Sequence, residues 1–332
     1  MSVVTSATAV TEIDAGLAPY QPRTAVVGEI RIWGQRAMAA VVAAWANGFQ
    51  RFHPGARIAA RLMGSGTATP GLYAGQADVA LLGRENNVTD INGFGRVKQY
   101  APLRLELMGG SLATPGQSSA LGVFVHRRNP LAKISLQQLS NLFGCESPAG
   151  GAAIRRWGQL GLGGRWAARP VHIYSVDLET GTGIFLQRAA LAGNMKLNWP
   201  AITEFRDLRR ADGSLVASAA EQILRALSRD PDGLAVAHAG AAIPGIKFLL
   251  LATRTDGPYF DLTPENLISG AYPLGRRTYA FVDRPPGKPL APAIDEFLRY
   301  ALSREGQQDV ANQTGYLPLS AVRVRAQLEQ LR

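Results

Sequence analysis

The chain has 332 residues, of which 46% are hydrophobic, and it carries 35 Lys and Arg against 25 Asp and Glu, a formal net charge of +10. This length and apolar content suffice for two domains with buried cores, and no apolar run approaches the roughly 20 residues of a membrane-spanning helix. The charge favours anionic ligands, but the basic residues stand singly or in pairs such as Arg127–Arg128, which argues against nucleic acid as a partner. The single cysteine, Cys145, excludes an intramolecular disulfide.

Residues 1–27 show no clear period and are expected to form a flexible lead-in. Beyond them, strand and helix patterns alternate, which is typical of an α/β architecture. The sequence predicts strands over 29–33, 57–62, 79–82, 120–126, 169–174, 234–237, 248–252 and 277–282. It predicts helices over 38–52, 68–73, 135–143, 218–227, from 263 onward, 294–301, 307–313 and 320–331. The glycine- and serine-rich stretch 105–119 is predicted to be a crossover between domains.

Polar loops follow several predicted strands, and in open α/β sheets ligands collect where the carboxyl ends of strands meet. At 174–185 a strand runs into a helix through hydroxyls and glycines, and the first N–H groups and the dipole of such a helix favour an anion. An ordinary helix cap made by Thr180 is the alternative there. Taken together, four loops indicate one anionic or polyhydroxylated ligand that is held without chemistry: Gln35-Arg36, Ser65-Gly66-Thr67, Arg84 and Thr180-Gly181-Thr182.

The sequence lacks the common signatures of enzymes and cofactor sites. Its four histidines show no metal-ligand spacing, and it has no Gly-x-Ser-x-Gly elbow, Walker loop or dinucleotide fingerprint. We therefore expect no catalytic residue, no metal and no cofactor. Two other classes stay open: an enzyme that uses Asp177, Glu179 and His172 as acid and base, and a scaffold or signalling protein with a degenerate pocket.

An ordered series of motifs over about residues 28–320 resembles the phosphate ABC transporter substrate-binding proteins. Each motif is weak alone, and the order makes the series specific. It consists of WGQRAM (33–38) with Trp45 and FQRFHP (49–54), MGSGT (63–67), LYAGQADVA (72–80) with Gly83-Arg84, VFVHRRNP (123–130) with 136–144, TGT (180–182) with Phe185, YPLGR (272–276), SREGQ (303–307) and GYLPL (315–319).

The resemblance implies a type II periplasmic-binding-protein fold, in which two α/β lobes joined by two crossovers close over a ligand in a cleft. The expected domains are the lead-in, a first lobe of 28–115 plus 272–332, and a second lobe of 116–271. The implied protein is a non-catalytic, monomeric receptor for a small anionic or polar ligand, with phosphate as the first candidate and an ABC transporter permease as partner, and without membrane insertion. A periplasmic or extracellular location is expected if a leader has been removed. A cytoplasmic location stays open. The alternative function is a ligand-sensing or ligand-binding protein of the same fold for a larger metabolite other than phosphate.

The resemblance also implies which residues hold the oxyanion. In chain order they are Gln35, Arg36 and Ala37, then Ser65, Gly66 and Thr67, then Arg84, and last Thr180, Gly181 and Thr182. Two positions depart from the family pattern. Ala37 closes a first loop that usually contains a serine or threonine, and Val176 stands where the family has an arginine, a loss for which Arg36 could compensate. Glu179 adds a carboxylate that either faces solvent as a helix N-terminal acid or lines the site and accepts a ligand proton.

Overall fold

The computed structural model describes residues 12–114, 117–146, 151–191, 196–240, 243–313 and 315–332. The chain divides into two compact units, one made of Met1–Ser118 with Arg276–Arg332 and the other of Ser119–Gly275. Each unit has a five-stranded sheet and its own helices. The predicted α/β class is confirmed.

The described strands and helices follow the alternating order that the sequence predicts. The strands are β1 (Gly28–Gly34), β2 (Ala56–Arg61), β3 (Val79–Leu82), β4 (Leu103–Gly109), β5 (Leu121–His126), β6 (Lys133–Ser135), β7 (His172–Val176), β8 (Ile202–Phe205), β9 (Leu208–Arg209), β10 (Leu215–Ala217), β11 (Gly233–His238), β12 (Ile246–Phe248), β13 (Leu250–Ala252) and β14 (Arg277–Val282). The α-helices are α1 (Ala39–Phe52), α2 (Ser65–Tyr73), α3 (Val88–Lys98), α4 (Leu136–Phe143), α5 (Gly181–Ala190), α6 (Ala219–Leu227), α7 (Pro264–Ser269), α8 (Pro292–Ala301), α9 (Arg304–Gln313) and α10 (Ala321–Glu329).

The sheet of the first unit has the order β2-β1-β3-β14-β4. β1 is parallel to β2 and β3, whereas β14 runs antiparallel between β3 and β4. Because β1 and β3 are parallel, the loops that follow them leave the same edge of the sheet. The helix predicted over 38–52 is present as α1, and it buries Trp45 and Phe49 completely, whereas Phe52 at its end is partly exposed.

Residues 12–27 differ from the flexible lead-in that the sequence favours. Leu17, Tyr20 and Val26 are buried in the core of the first unit, because the apolar side chains of this segment fill space beside α1 and α8. The backbone N–H of Arg304 donates to the carbonyl of Ala18 at 2.9 Å. The apolar residues of this segment show no clear period, which favours a flexible segment. Residues 12–27 instead pack against the core as an extended strap, which is neither a helix nor a strand. Residues 1–11 of the predicted lead-in lie outside the described residues.

Two further expectations for the first unit are wrong in detail. The predicted loop at Ser65–Thr67 is the first turn of α2, in which the Thr67 N–H and hydroxyl both donate to the carbonyl of Gly64, at 3.2 and 2.9 Å. The predicted crossover at 105–119 begins with β4, because Leu105 and Leu107 point into the core and the strand pairs with β14.

The sheet of the second unit has the order β12-β5-β11-β7-β8. β11 lies at its centre, antiparallel to β5 and parallel to β7, and β7 is in turn parallel to β8. This parallel pairing places the carboxyl ends of β7, β8 and β11 at one edge, so residues that follow these strands become neighbours. The helix predicted over 218–227 is confirmed as α6. It begins with a capping box of Ser218 and Glu221, and its apolar face is buried.

Two segments of the second unit differ from their predicted assignment. Tyr272–Gly275, expected in the first lobe, belongs to the second unit, where the Tyr272 hydroxyl donates to the carbonyl of Leu121 at 3.0 Å. The single strand predicted over 248–252 is two strands. β12 pairs with β5, and after Leu249 the chain turns to pair β13 with β6.

Candidate functional site

In the first unit, the structure brings together Gln35, which follows β1, and Ser65, which begins α2. The Ser65 hydroxyl donates to Oε1 of Gln35 at 3.2 Å. Nε2 of Gln35 donates in turn to the hydroxyl of Ser118 at 3.1 Å. Ser118 is buried, and the sequence gives no sign of its part in this cluster because it lies 83 residues from Gln35. The result is a chain of one amide and two hydroxyls at the edge where β1 ends.

Arg84 follows β3 at the same edge and is buried. Its Nη1 forms an ion pair with Oδ2 of Asp90 at 2.6 Å and also donates to the carbonyl of Glu85 at 2.8 Å. Asp90 is held by the capping box of α3, in which its side chain accepts the N–H of Asn87 and the Asn87 side chain accepts the N–H of Asp90. The guanidinium therefore has a fixed position and a carboxylate that balances its charge.

A second buried arginine of this region, Arg276, was not among the predicted site residues. Its Nη2 donates to the carbonyl of Gly83 at 2.8 Å, next to Arg84 in the chain. Burial lowers the pKa of Arg276 to about 10, and the positive charge of Arg84 contributes to this shift, so the side chain is still charged at neutral pH. A side chain at Gly83 would collide with the Ser118 hydroxyl, because an added Cβ would lie 1.8 Å from its Oγ. This glycine thus permits the close approach of Ser118.

The remaining predicted residues of the first unit lie at the surface of the same region. Arg36 belongs to a 3-10 turn between β1 and α1, and its side chain is exposed. Gly66 is exposed in the first turn of α2, with no atom within 4 Å of an added Cβ. Thr67 turns its hydroxyl back to the carbonyl of Gly64. Its backbone N–H donates to the same carbonyl, so both donors of Thr67 already have a partner within the first turn of α2.

In the second unit, Thr180 is the N-cap of α5. Its hydroxyl oxygen accepts the N–H of Gly183 at 3.1 Å, and the hydroxyl donates to the carbonyl of Asp177 at 2.7 Å. The first hydrogen bond of the helix runs from Ile184 N–H to Thr180 O at 2.8 Å, so Gly181 and Thr182 precede it. The cap predicted as an alternative is present. It leaves the positive end of the helix dipole at Gly181 and Thr182.

Thr182 lies beside His238, the last residue of β11, with 3.3 Å between its Oγ1 and Nε2 of the imidazole. The contact follows from topology, because β11 and β7 are parallel and α5 begins just after β7. The sequence offers no signal for it, since 56 residues separate the two.

Charged residues surround the turn before α5. Val176 is buried in the core of the second unit, so it does not point toward the turn. Arg206, which follows β8, forms a short ion pair with the buried Asp177 and a longer one with Glu179, at 3.8 Å from Nη2 to Oε2. The Glu179 side chain is 89% exposed. Arg206 thus brings a guanidinium to this turn, a position that the sequence does not predict.

The acid and base candidates of the enzyme hypothesis are separated along β7. His172 begins the strand and pairs through Nδ1 with Oδ2 of Asp230 at 2.8 Å, whereas Asp177 and Glu179 follow its other end. Five residues of extended chain span about 16 Å, which is beyond the reach of a proton transfer. Within the described ranges, no three His, Cys, Asp or Glu side chains gather closely enough to hold a metal ion. None of the described helices is both long and apolar enough to cross a membrane.

Comparison with known proteins agrees with this architecture. The model of the PBP superfamily domain matches residues 19–305. The phosphate-binding protein PstS of Pseudomonas aeruginosa is 29% identical to this chain over 320 residues, which cover 96% of this chain and 91% of that protein.

Two solved structures share the fold at low sequence identity. PstS from Borrelia burgdorferi has a TM-score of 0.58 at 16% identity, and the match covers 88% of this chain and 99% of that one. An ABC-type phosphate transport receptor from Vibrio cholerae has a TM-score of 0.56 at 15% identity, over 87% of this chain and 99% of that one. Because the family model spans most of the sequence and both structures share its fold, the chain belongs to the PBP superfamily.

Proposed function

We propose that this protein is a non-catalytic receptor that captures inorganic phosphate for an ABC-type uptake system. The observation that carries the proposal is the alignment with phosphate-binding protein PstS of Pseudomonas aeruginosa, at 29% identity over 96% of this chain. The alignment covers nearly all of both proteins. It therefore includes both units and both groups of polar residues described above.

A tetrahedral oxyanion is held by several N–H and O–H donors that converge on it. We propose that each unit presents such donors to an anion. The donors are Gln35, Arg36, Ser65, Gly66 and Arg84 in the first unit, and Gly181 and Thr182 in the second. Thr67 and Thr180 order the first turns of α2 and α5 through their own hydrogen bonds, and the Glu179 carboxylate accepts a ligand proton. Ser65 and Gln35 are already joined by a hydrogen bond, so part of the donor set is ordered before a ligand binds.

The missing arginine at position 176 has a replacement in this proposal. Val176 is part of an apolar core, whereas Arg206 reaches the turn before α5 through its ion pair with Asp177. Its side chain is 72% exposed, so N–H groups of its guanidinium can also face an anion. We propose that Arg206, rather than Arg36, supplies the cation of the second unit.

The proposed role also specifies a location and a partner. A receptor for ABC-type uptake meets its ligand outside the cytoplasmic membrane and delivers it to a permease. We propose a periplasmic protein that is monomeric in solution and exchanges phosphate with such a permease. The net charge of +10 would speed the capture of an anion by electrostatic steering.

Isothermal titration of the purified protein, dialysed free of phosphate, tests the function directly. We expect a saturable heat with inorganic phosphate at one site per chain. Sulfate, which has the same tetrahedral shape, serves as the control anion. No binding of phosphate, or equal binding of sulfate, would contradict a phosphate receptor.

Thr182→Val tests the proposed contact in the second unit. The variant keeps the size of the side chain and removes the hydroxyl, so phosphate should bind about 10- to 100-fold more weakly, as expected for a lost hydrogen bond to a charged group. Thr203→Val, on the exposed face of β8, is the matched control and should bind as the wild type does. Unchanged affinity of Thr182→Val would mean that this turn caps the helix and does not bind phosphate.

A further inference from the structure

His238 lies beside the first turn of α5 in the second unit, and it is not among the proposed ligand contacts. It ends the central strand β11, and its Nε2 lies 3.3 Å from Oγ1 of Thr182. Its Nδ1 is buried, so the ring presents its Nε2 edge to the first turn of α5. The contact joins the end of the sheet to one of the residues that we propose to hold the anion.

The direction of this hydrogen bond decides what Thr182 can do for an anion. A hydroxyl has one proton to donate and two lone pairs that accept. If Nε2 is bare, it accepts the hydroxyl proton, and Oγ1 then turns its lone pairs toward an approaching anion. If Nε2 carries a proton, it donates to Oγ1, and the hydroxyl proton is left for a ligand oxygen. The two tautomers therefore have opposite effects on anion binding.

We propose that His238 is a positioning residue of the anion site, which donates its Nε2–H to Oγ1 of Thr182 and so directs the hydroxyl proton to the ligand. The inference rests on the proposed function, because it names the residue that makes Thr182 a donor. The imidazole also fixes the rotamer of Thr182 before a ligand arrives, which lowers the entropy that binding must remove. In this way β11 acts on the ligand without touching it.

The tautomer can be measured without any ligand. Long-range 1H–15N correlation spectra of the imidazole rings distinguish a protonated nitrogen from a bare one, and His238→Gln assigns the signal among the four histidines. We expect a protonated Nε2 in the phosphate-free protein at pH 7.5 and a shifted Nε2 signal in Thr182→Val. An Nε2 without a proton, or an Nε2 signal that does not shift in Thr182→Val, would overturn the proposal.

Titrations with inorganic phosphate measure the effect on binding. We expect His238→Leu to bind about tenfold more weakly, and His238→Gln, whose amide can still donate to Oγ1, to stay within about threefold of the wild type. Adding His238→Leu to Thr182→Val should cause no further loss, because the histidine acts through that hydroxyl. His172→Gln, at the opposite end of β7, is the control and should bind as the wild type does.

The outcomes separate the two claims. A wild-type protein that binds no phosphate contradicts the proposed function. A wild type that binds phosphate, together with a His238→Leu variant that binds it equally well, overturns only the role of His238. Additive losses in the double variant would also overturn it, since they would show that the two side chains act independently.

Discussion

The hydroxyl of Tyr20 donates to Oε2 of Glu296 at 2.6 Å, and the two residues join the N-terminal strap to α8. The same hydroxyl lies 2.7 Å from Nε2 of His53. Because the tyrosine proton goes to the carboxylate, Nε2 must be the donor of the second bond. Oε1 of Glu296 accepts the N–H groups of Arg23 and Thr24, so a carboxylate that is 1% exposed is held by three donors. This network explains how an extended segment becomes part of the first unit.

We expect Tyr20→Phe to lower the free energy of unfolding by about 1–3 kcal/mol, because a buried carboxylate and a buried imidazole each lose a partner. Urea denaturation measures the change. The control is Tyr259→Phe, which removes an exposed hydrogen bond to the carbonyl of Thr255 and should change stability little. Equal stability of the two variants would show that the strap is held by its apolar contacts alone.

The same network predicts that the protein loses stability in mild acid. Burial lowers the pKa of His53, although Glu296 partly opposes this, and Nδ1 accepts the N–H of Val26 at 3.3 Å. Below about pH 6.5 the unfolded chain binds a proton at this residue that the folded protein resists, so the free energy of unfolding falls with pH. His126, whose pKa is also lowered, chiefly by burial, adds to the effect.

Between pH 6.5 and 5.5 the loss from His53 should reach at most about 1.4 kcal/mol, while most carboxylates stay ionised. Denaturation curves at pH 7.5, 6.5 and 5.5 measure it. His53→Gln should show a shallower pH dependence than the wild type. A variant with the same slope would mean that His53 does not titrate differently in the folded and unfolded states.

The buried ion pair of Arg84 and Asp90 allows stability and binding to be separated. Arg84→Met should cost about 3 kcal/mol of stability, because it leaves the Asp90 carboxylate buried without its cation. Adding Asp90→Asn should recover most of that loss. If Arg84 also binds phosphate, the double variant will be stable and will still bind phosphate weakly. A double variant with wild-type affinity would restrict Arg84 to a structural role.

Gly183 and Gly66 lie at corresponding places, in the first turns of α5 and α2, and they should respond differently to alanine. A Cβ at Gly183 would lie 2.3 Å from both the carbonyl oxygen of Asp177 and Cα of Leu178, so the turn before α5 would have to move. We expect Gly183→Ala to lower the free energy of unfolding by about 1–3 kcal/mol. Gly66→Ala meets open space and should be neutral or slightly stabilising. Equal melting temperatures would contradict the tight packing of this turn.

Local patterns predict much of the fold. The predicted strand over 29–33 and the predicted helices over 38–52 and 218–227 are present as β1, α1 and α6. Their signals, which are alternation, an apolar face and a capping box, depend on residues close in sequence. α3 was missed because its pattern is inverted: Val88, Ile91 and Val97 are exposed, and Phe94 is its one large buried side chain. The strap was missed for a related reason, since an extended segment that packs by single side chains has no period to detect.

The candidate site could be predicted only in part. Thr180 and Thr182 lie at a strand-to-helix junction that is visible in the sequence, and Gln35, Ser65 and Arg84 follow predicted strands. In the second unit, Arg206 and His238 reach the turn at Thr180 and Thr182 through the parallel pairing of β8 and β11 with β7. In the first unit, Ser118 reaches Gln35 across 83 residues. Strand order and register decide these contacts, and a single sequence does not contain that information.

The position of β14 sets the order in which the two units can fold while the chain is synthesised. β14 lies between β3 and β4, so the first sheet stays incomplete until residue 282 has been synthesised. Among the described strands, β4 pairs with β14 alone. The second unit is continuous in sequence, and all five strands of its sheet precede β14 in the chain. The inserted unit can therefore mature first, while unpaired strand edges of the other need protection from neighbouring chains. Residues 276–332 thus complete the unit that the residues before 119 begin.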